Sequence, residues 1–113
     1  MERRDSIVLV KICSEINLAC DMMGNCTFEQ FNENEMLRRA VCMTVINIGE
    51  LVKNLTERFR LQHTDIPWKA IAGFRDIAAH KYHTLRMDDV YKTTVTDLPV
   101  LLRQIEQILQ AES

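Results

Sequence analysis

EMLRRAVCMTVINIGELVKNL, residues 35–55, is the stretch on which the fold turns. Leu37, Ala40, Val41, Thr44, Ile48, Leu51, Val52 and Leu55 recur at three- and four-residue steps. That is the period of an amphipathic helix, and it predicts one long helix from about 35 to 60. Met36, Met43, Val45 and Ile46 widen the apolar arc. A helix with so broad an apolar surface packs on more than one neighbour, or on a second copy of itself. Gly49 lies inside it and costs about 1 kcal/mol relative to Ala. The expected compensation is the close approach of another backbone. Asn32 or Asn34 can cap the start.

Outward from this helix the chain stays helical. Before it, Leu9, Ile12, Cys13, Ile16, Ala19, Cys20 and Met23 predict a first helix over 5–23, stopped by Gly24-Asn25. The β-branched run at 7–10 could seed a strand, but the longer helical stripe outweighs it. Thr27 and Gln30 stand at the spacing of a capping box, which predicts a short helical turn. After it, 61–64 read as a loop. Asp65-Ile66-Pro67-Trp68 reads as a helix start with Asp65 as cap and Trp68 as core anchor. This third long helix should end near 82–85. Asp88 or Asp89 should open a last helix reaching about 110, in which Pro99 kinks the helix or removes a hydrogen bond. With no repeat, linker or low-complexity segment, residues 1–113 read as one all-α domain. Four main helices with short connections predict an antiparallel bundle.

Composition narrows the function. Of 113 residues, 47% are hydrophobic and 27% charged, with 3 Gly and 2 Pro, as suits a helical globular domain. The net charge of -2 and pI of about 5.9 lack the basic excess of most nucleic-acid-binding domains, so any RNA contact must be local. Lys69, Arg75, Lys81 and Arg86 do cluster in one region of the sequence. Cys13, Cys20, Cys26 and Cys42 form no C-x-x-C pair and stand at no zinc-finger spacing from a histidine. They read as small buried residues in a reducing compartment. The start of the chain does not read as a signal peptide, and no apolar run approaches a membrane span. A cytoplasmic location is therefore expected.

Phe74-Arg75-Asp76-Ile77-Ala78-Ala79-His80-Lys81-Tyr82-His83 concentrates the chemistry. Arginine holds phosphate bidentately, and histidine moves protons near neutral pH. Together they suggest phosphodiester chemistry. By residue type alone, a solvated helix face is the commoner reading. On a helix, Asp76, His80 and His83 share a face, and Arg75 nearly aligns with Tyr82. Arg75 and His80 fall about 140° apart around the axis. Either the helix breaks before His80, or a second protomer completes the site. RNA cleavage through the 2′-hydroxyl needs a base, an acid and positive charge on the developing phosphorane. Two arginines and two histidines around a two-fold cleft would supply all three without a metal. Asp76 could orient His80 or raise its pKa.

Arg75, four residues, His80, one residue and Tyr82 resemble the Arg-x-x-x-x-His-x-Tyr signature of HepT-like toxins in the HEPN superfamily. Ile46-Asn47-Ile48-Gly49-Glu50 resembles the I-x-x-G-E stretch of their central helix, with Ile46 slightly off register. Residues 66–75 resemble their helix entry, with Phe74 in place of a commoner Met. Val90-Tyr91 and Leu98-Pro99 resemble the final helix. The likeness runs in order from about 5 to 110. It implies a four- to five-helix HEPN bundle, a two-fold homodimer and metal-independent endoribonuclease activity. Arg75 and His80 would form the active site across the dimer, with Asp76 in support. Lys69, Lys81, His83 and Arg86 are the candidate RNA contacts. The resemblance further implies a type VII toxin–antitoxin pair with an MntA-like nucleotidyltransferase. That antitoxin would use ATP and magnesium to AMPylate Tyr82, while the chain needs no cofactor of its own. A noncatalytic nucleotide- or RNA-binding partner subunit of such a nucleotidyltransferase is the alternative.

Overall fold

The computed structural model describes residues 1–112, and among them there is no strand. Four long rods carry the fold: α1 (Arg3–Met23), α3 (Glu35–Lys53), α5 (Trp68–His80) and a last rod. The last rod comprises α6 (Met87–Lys92), a π-helical turn (Thr93–Asp97) and α7 (Leu98–Glu112). Two short helices, α2 (Phe28–Glu33) and α4 (Glu57–Gln62), sit in the connections. No helix among the described residues is long and apolar enough to cross a membrane.

Contacts at the ends of the rods fix their directions. Asp5 at the start of α1 bonds Thr56 just past α3, so these two run antiparallel. Lys53 near the end of α3 meets Asp76, and Arg39 near its start meets Tyr82 just past α5. That pair is antiparallel as well. Cys20 near the end of α1 approaches Thr94 early in the last rod, while Met1 approaches Glu112. The expected antiparallel bundle of four main helices is the observed one. α3 lies at its centre against α1 and α5, and its buried stripe of Val41, Cys42, Val45, Ile48 and Val52 meets Leu9, Ile12 and Ile16 in one core. Burial pushes the Cys42 thiol up to about 11, so it packs protonated as a small apolar group. All four cysteines are free.

Local signals decide several ends as expected. Thr27 and Gln30 close a full capping box, and the Asn34 side chain accepts the Leu37 N–H. Gly24 takes φ 53 and sends its N–H to the Cys20 carbonyl, ending α1. Trp68 is buried at the start of α5, with its Nε1 donating to the His63 carbonyl at 2.9 Å.

Four expectations need correction. The helix over 35–60 breaks at Asn54–Thr56, and the separate α4 that follows runs through Leu61 and Gln62, into the stretch expected as a loop over 61–64. At the break, the Asp5 carboxylate accepts both the Thr56 N–H (2.8 Å) and its hydroxyl (2.7 Å). The same hydroxyl oxygen accepts the Phe59 N–H and caps α4. Asp65 does not cap α5; Pro67 occupies that position without a side-chain cap bond. α5 ends at His80 rather than near 82–85, because Lys81 leaves helical geometry (φ -133, ψ 40) and a 3-10 turn, Tyr82–Thr84, follows. The last rod begins at Met87, ahead of Asp88, whose carboxylate bonds Arg86 and accepts the Asp89 N–H from inside the first turn rather than from the cap position. The last rod runs on through Pro99 without a break in helix. The rod widens into the π turn just before it, with the Leu98 N–H reaching back five residues to Thr93. This accommodates a residue that has no N–H and whose ring crowds the carbonyl four residues earlier.

Asp5 is only 1% exposed and serves two donors that have no other acceptor in place. Asp5→Ala is expected to lower the unfolding free energy by about 3 kcal/mol, the worth of hydrogen bonds to a buried charged group. Urea titration of the variant checks this. A midpoint equal to that of the parent would show that the Thr56 corner holds itself.

Candidate active site

α3 and α5 cross in close contact where Gly49 faces Arg75. A Cβ placed on Gly49 would lie 2.1 Å from the Arg75 Cβ and 2.8 Å from its Cγ. The missing side chain is what lets the arginine enter. Arg75 therefore lies largely covered against α3, its side chain 21% exposed. Residues one and four positions after Gly49 flank the entry. Glu50 Oε1 is 2.6 Å from Arg75 Nε, off-line for a hydrogen bond and therefore an ion pair. Lys53 Nζ donates to Asp76 Oδ1 at 2.8 Å, and Arg75 Nη1 donates to the same oxygen at 3.1 Å. Hydrogen bonds from Lys53 and then Arg75 hold the Asp76 carboxyl below the usual carboxylate range. Its pairing stabilises the fold above the ordinary carboxylate pKa and is lost as pH falls through the lowered one. Asp76 thus stays ionised near neutral pH, and any change in activity there belongs to another group.

His80, the last residue of α5, is exposed. α5 runs unbroken from Trp68 to His80, which removes the possibility of a break before the histidine. The five-residue step leaves Arg75 and His80 about 140° apart on one helix. Asp76 makes no hydrogen bond or ion pair with His80 among the described residues. Its hydrogen bonds go to Lys53 and Arg75.

The end of α5 also moves Tyr82. Its alignment with Arg75 required a continuing helix, and the 3-10 turn carries it away. Its half-buried ring lies under the Arg39 guanidinium of α3, 5.3 Å from centroid to carbon, and edge-on to His83 at 6.0 Å. The Tyr82 hydroxyl has no hydrogen bond among the described residues. Lys81 and His83 are exposed on the same turn. Arg86 is held by both oxygens of Asp88. Lys69 stands at the other end of α5, beside Glu57 and Arg60, roughly 16 Å along the axis from His80. It does not join the cluster.

Sequence reasoning missed Lys53 and Arg39 entirely and gave Glu50 no role beyond its place in the I-x-x-G-E stretch. The usable signal was Gly49: a glycine inside a helix marks a close crossing, and the residues one and four beyond it border whatever crosses there.

The profile of the HepT-like ribonuclease family matches residues 12–108. The chain belongs to the HepT-like ribonuclease family. A protein of Caldanaerobacter subterraneus subsp. tengcongensis, named as a candidate RNase, is 36% identical over 104 residues, covering 92% of this chain and 93% of the relative. One from Thermococcus cleftensis, named a probable ribonuclease HepT, is 30% identical over 108 residues, covering 96% and 98%. Another named as a candidate RNase, from Methanocaldococcus jannaschii, is 30% identical over 111 residues, covering 97% and 92%. No solved structure matches the chain significantly. The HepT-like match contains α3, α5 and the turn after it, and so includes all the residues of the cluster around Arg75 and His80.

Proposed function

We propose that this HepT-like chain is the metal-independent endoribonuclease toxin of a type VII toxin–antitoxin pair, with its active site in the cleft of a two-fold dimer. The observation that carries this is the divergence of Arg75 and His80 on one unbroken helix of a ribonuclease-family chain. One chain directs the two groups apart, whereas two chains can face them together. Met36, Met43 and Ile77 are 83%, 57% and 49% exposed on the rods that carry the motif, which suits a surface covered by a second copy. In the cleft, one His80 takes the 2′-hydroxyl proton and the freed oxygen attacks the adjacent phosphorus. The other His80 protonates the leaving 5′-oxygen, and the products are a 2′,3′-cyclic phosphate and a 5′-hydroxyl. Arg75 from each copy neutralises the phosphorane. Lys81 and His83, exposed on the turn after His80, would contact a flanking phosphate.

The test is sequencing of RNA ends after induction of the wild type and of His80→Ala, with chelator present in a parallel cleavage assay. The proposal expects new 5′-hydroxyl ends from the wild type alone and cleavage that survives chelation. Harmless expression, with no new ends, would overturn it.

Silencing is proposed to act at Tyr82. The tyrosine follows the end of α5 with its hydroxyl unpartnered among the described residues, and AMP on it would set negative charge beside the proposed site for RNA phosphate. An MntA-like nucleotidyltransferase would supply the AMP from ATP and magnesium. Intact mass after co-expression should show whole AMP additions, and Tyr82→Phe should show none. Additions that persist in Tyr82→Phe would remove this tyrosine as acceptor.

The noncatalytic reading, a nucleotide- or RNA-binding partner subunit, draws on the net charge of -2 and the mutual neutralisation of Glu50, Lys53, Arg75 and Asp76. It expects RNA or nucleotide binding that persists in His80→Ala without any cleavage.

A further inference from the structure

Glu50, Arg75, Asp76 and Lys53 form a ladder of alternating charge across the α3–α5 crossing. We propose that Glu50 and Lys53 are positioning residues for the nuclease reaction, holding the Arg75 guanidinium in one orientation for the scissile phosphate. This rests on the nuclease reading above.

Three observations on the same crossing carry it. First, stability does not explain the ladder. The Glu50, Lys53 and Asp76 side chains are 49%, 39% and 51% exposed, and ion pairs so open to water contribute little to folding. Second, the bonds are placed on particular nitrogens. An arginine has five N–H groups. Glu50 occupies the side of Nε and Asp76 accepts from Nη1, which leaves Nη2 without a partner among the described residues. Third, Asp76 Oδ1 is shared between Arg75 and Lys53. Without Lys53, that carboxylate would be free to neutralise Arg75 more fully or to swing away from it. Lys53 thus fixes the carboxylate that fixes the arginine, and Glu50 fixes the opposite edge.

This makes a split prediction for kinetic constants on an end-labelled mixed-sequence oligoribonucleotide. Glu50→Gln and Lys53→Met should each lower kcat about 10- to 100-fold, the size expected when a catalytic group is displaced by about 1 Å. KM should hardly change, or fall in Glu50→Gln, where an anion beside the phosphate is removed. Lys53→Arg should restore most of kcat. Thermal midpoints should stay near that of the parent. NMR of the Arg75 Nε–H supplies a readout that does not need cleavage. It should give a resolved, slowly exchanging signal in the parent, and a broadened or shifted one in Glu50→Gln and Lys53→Met. A raised KM with unchanged kcat in Lys53→Met would make Lys53 a simple RNA contact and overturn the positioning role. An Arg75 signal indifferent to both substitutions would overturn it too. Failure of the parent protein to cut the oligoribonucleotide would sink the nuclease reading instead, with the Arg75 signal still reporting whether the ladder orients the guanidinium.

Discussion

His80→Ala and Arg75→Ala are each expected to lower RNA cleavage by at least about 100-fold, without loss of the folded state. His80 is exposed at the very end of α5 and makes no bond that the fold depends on. Its removal should cost proton transfer and nothing structural. Arg75 is more embedded, with its Cβ against Gly49 and its guanidinium among Glu50 and Asp76. Removing it strands Glu50, but that carboxylate is 49% exposed and can turn to water. Initial rates on the oligoribonucleotide, paired with thermal melts, separate the two effects. Unchanged rates in either variant would remove that residue from the chemistry.

Gly49→Ala is expected to produce the largest structural effect of any single methyl group in the chain. The added Cβ would meet the Arg75 Cβ at 2.1 Å and its Cα at 3.4 Å, and neither can turn away without moving α5. Overpacking of that kind costs roughly 1–3 kcal/mol or more, set against about 1 kcal/mol gained from helix propensity. A net loss of up to about 2 kcal/mol is expected, with RNA cleavage falling even below the melting temperature, because Arg75 is what the methyl group displaces. Gly73→Ala is the matched control. Nothing lies within 4 Å of a Cβ there, so the same substitution should stabilise the protein by about 1 kcal/mol. Urea titrations of the two variants should differ in sign. Equal stabilisation by both would mean that α3 and α5 do not need the close crossing.

What was legible in the sequence depended on how far each cause lies from its effect. Thr27 and Gln30 are three residues apart, and their reciprocal cap could be read directly. Gly49 inside an apolar helix announced a close crossing, though not that Arg75 would be the residue admitted. The break after α3 was not readable, because Asp5, which captures Thr56, stands 51 residues earlier. The end of α5 at His80 was missed for a different reason. Nothing in Lys81-Tyr82-His83 is a strong helix breaker, and Tyr82 is drawn instead to Arg39 on another rod. The site divides the same way. Arg75 and His80 stand out by residue type and by resemblance to HepT-like chains. Glu50, Lys53 and Arg39 matter only once α3 lies beside α5, which is a tertiary event. Helical spacing lets Asp76 reach toward His80, while the bonds it makes go to Arg75 beside it and to Lys53 on the neighbouring rod.

The central claim, that one cleft takes Arg75 and His80 from two copies, is tested most directly by mixing two inactive variants. Arg75→Ala and His80→Ala, co-expressed with different tags and purified through both, give an assembly in which no single chain holds both residues. A cleft shared between copies predicts partial recovery of RNA cleavage in that assembly, well above either variant alone. The mixed cleft keeps one Arg75 and one His80, where each parent lacks one kind entirely; an assembly as inactive as both parents, beside a wild-type protein that cuts, would contradict the sharing of these residues between copies.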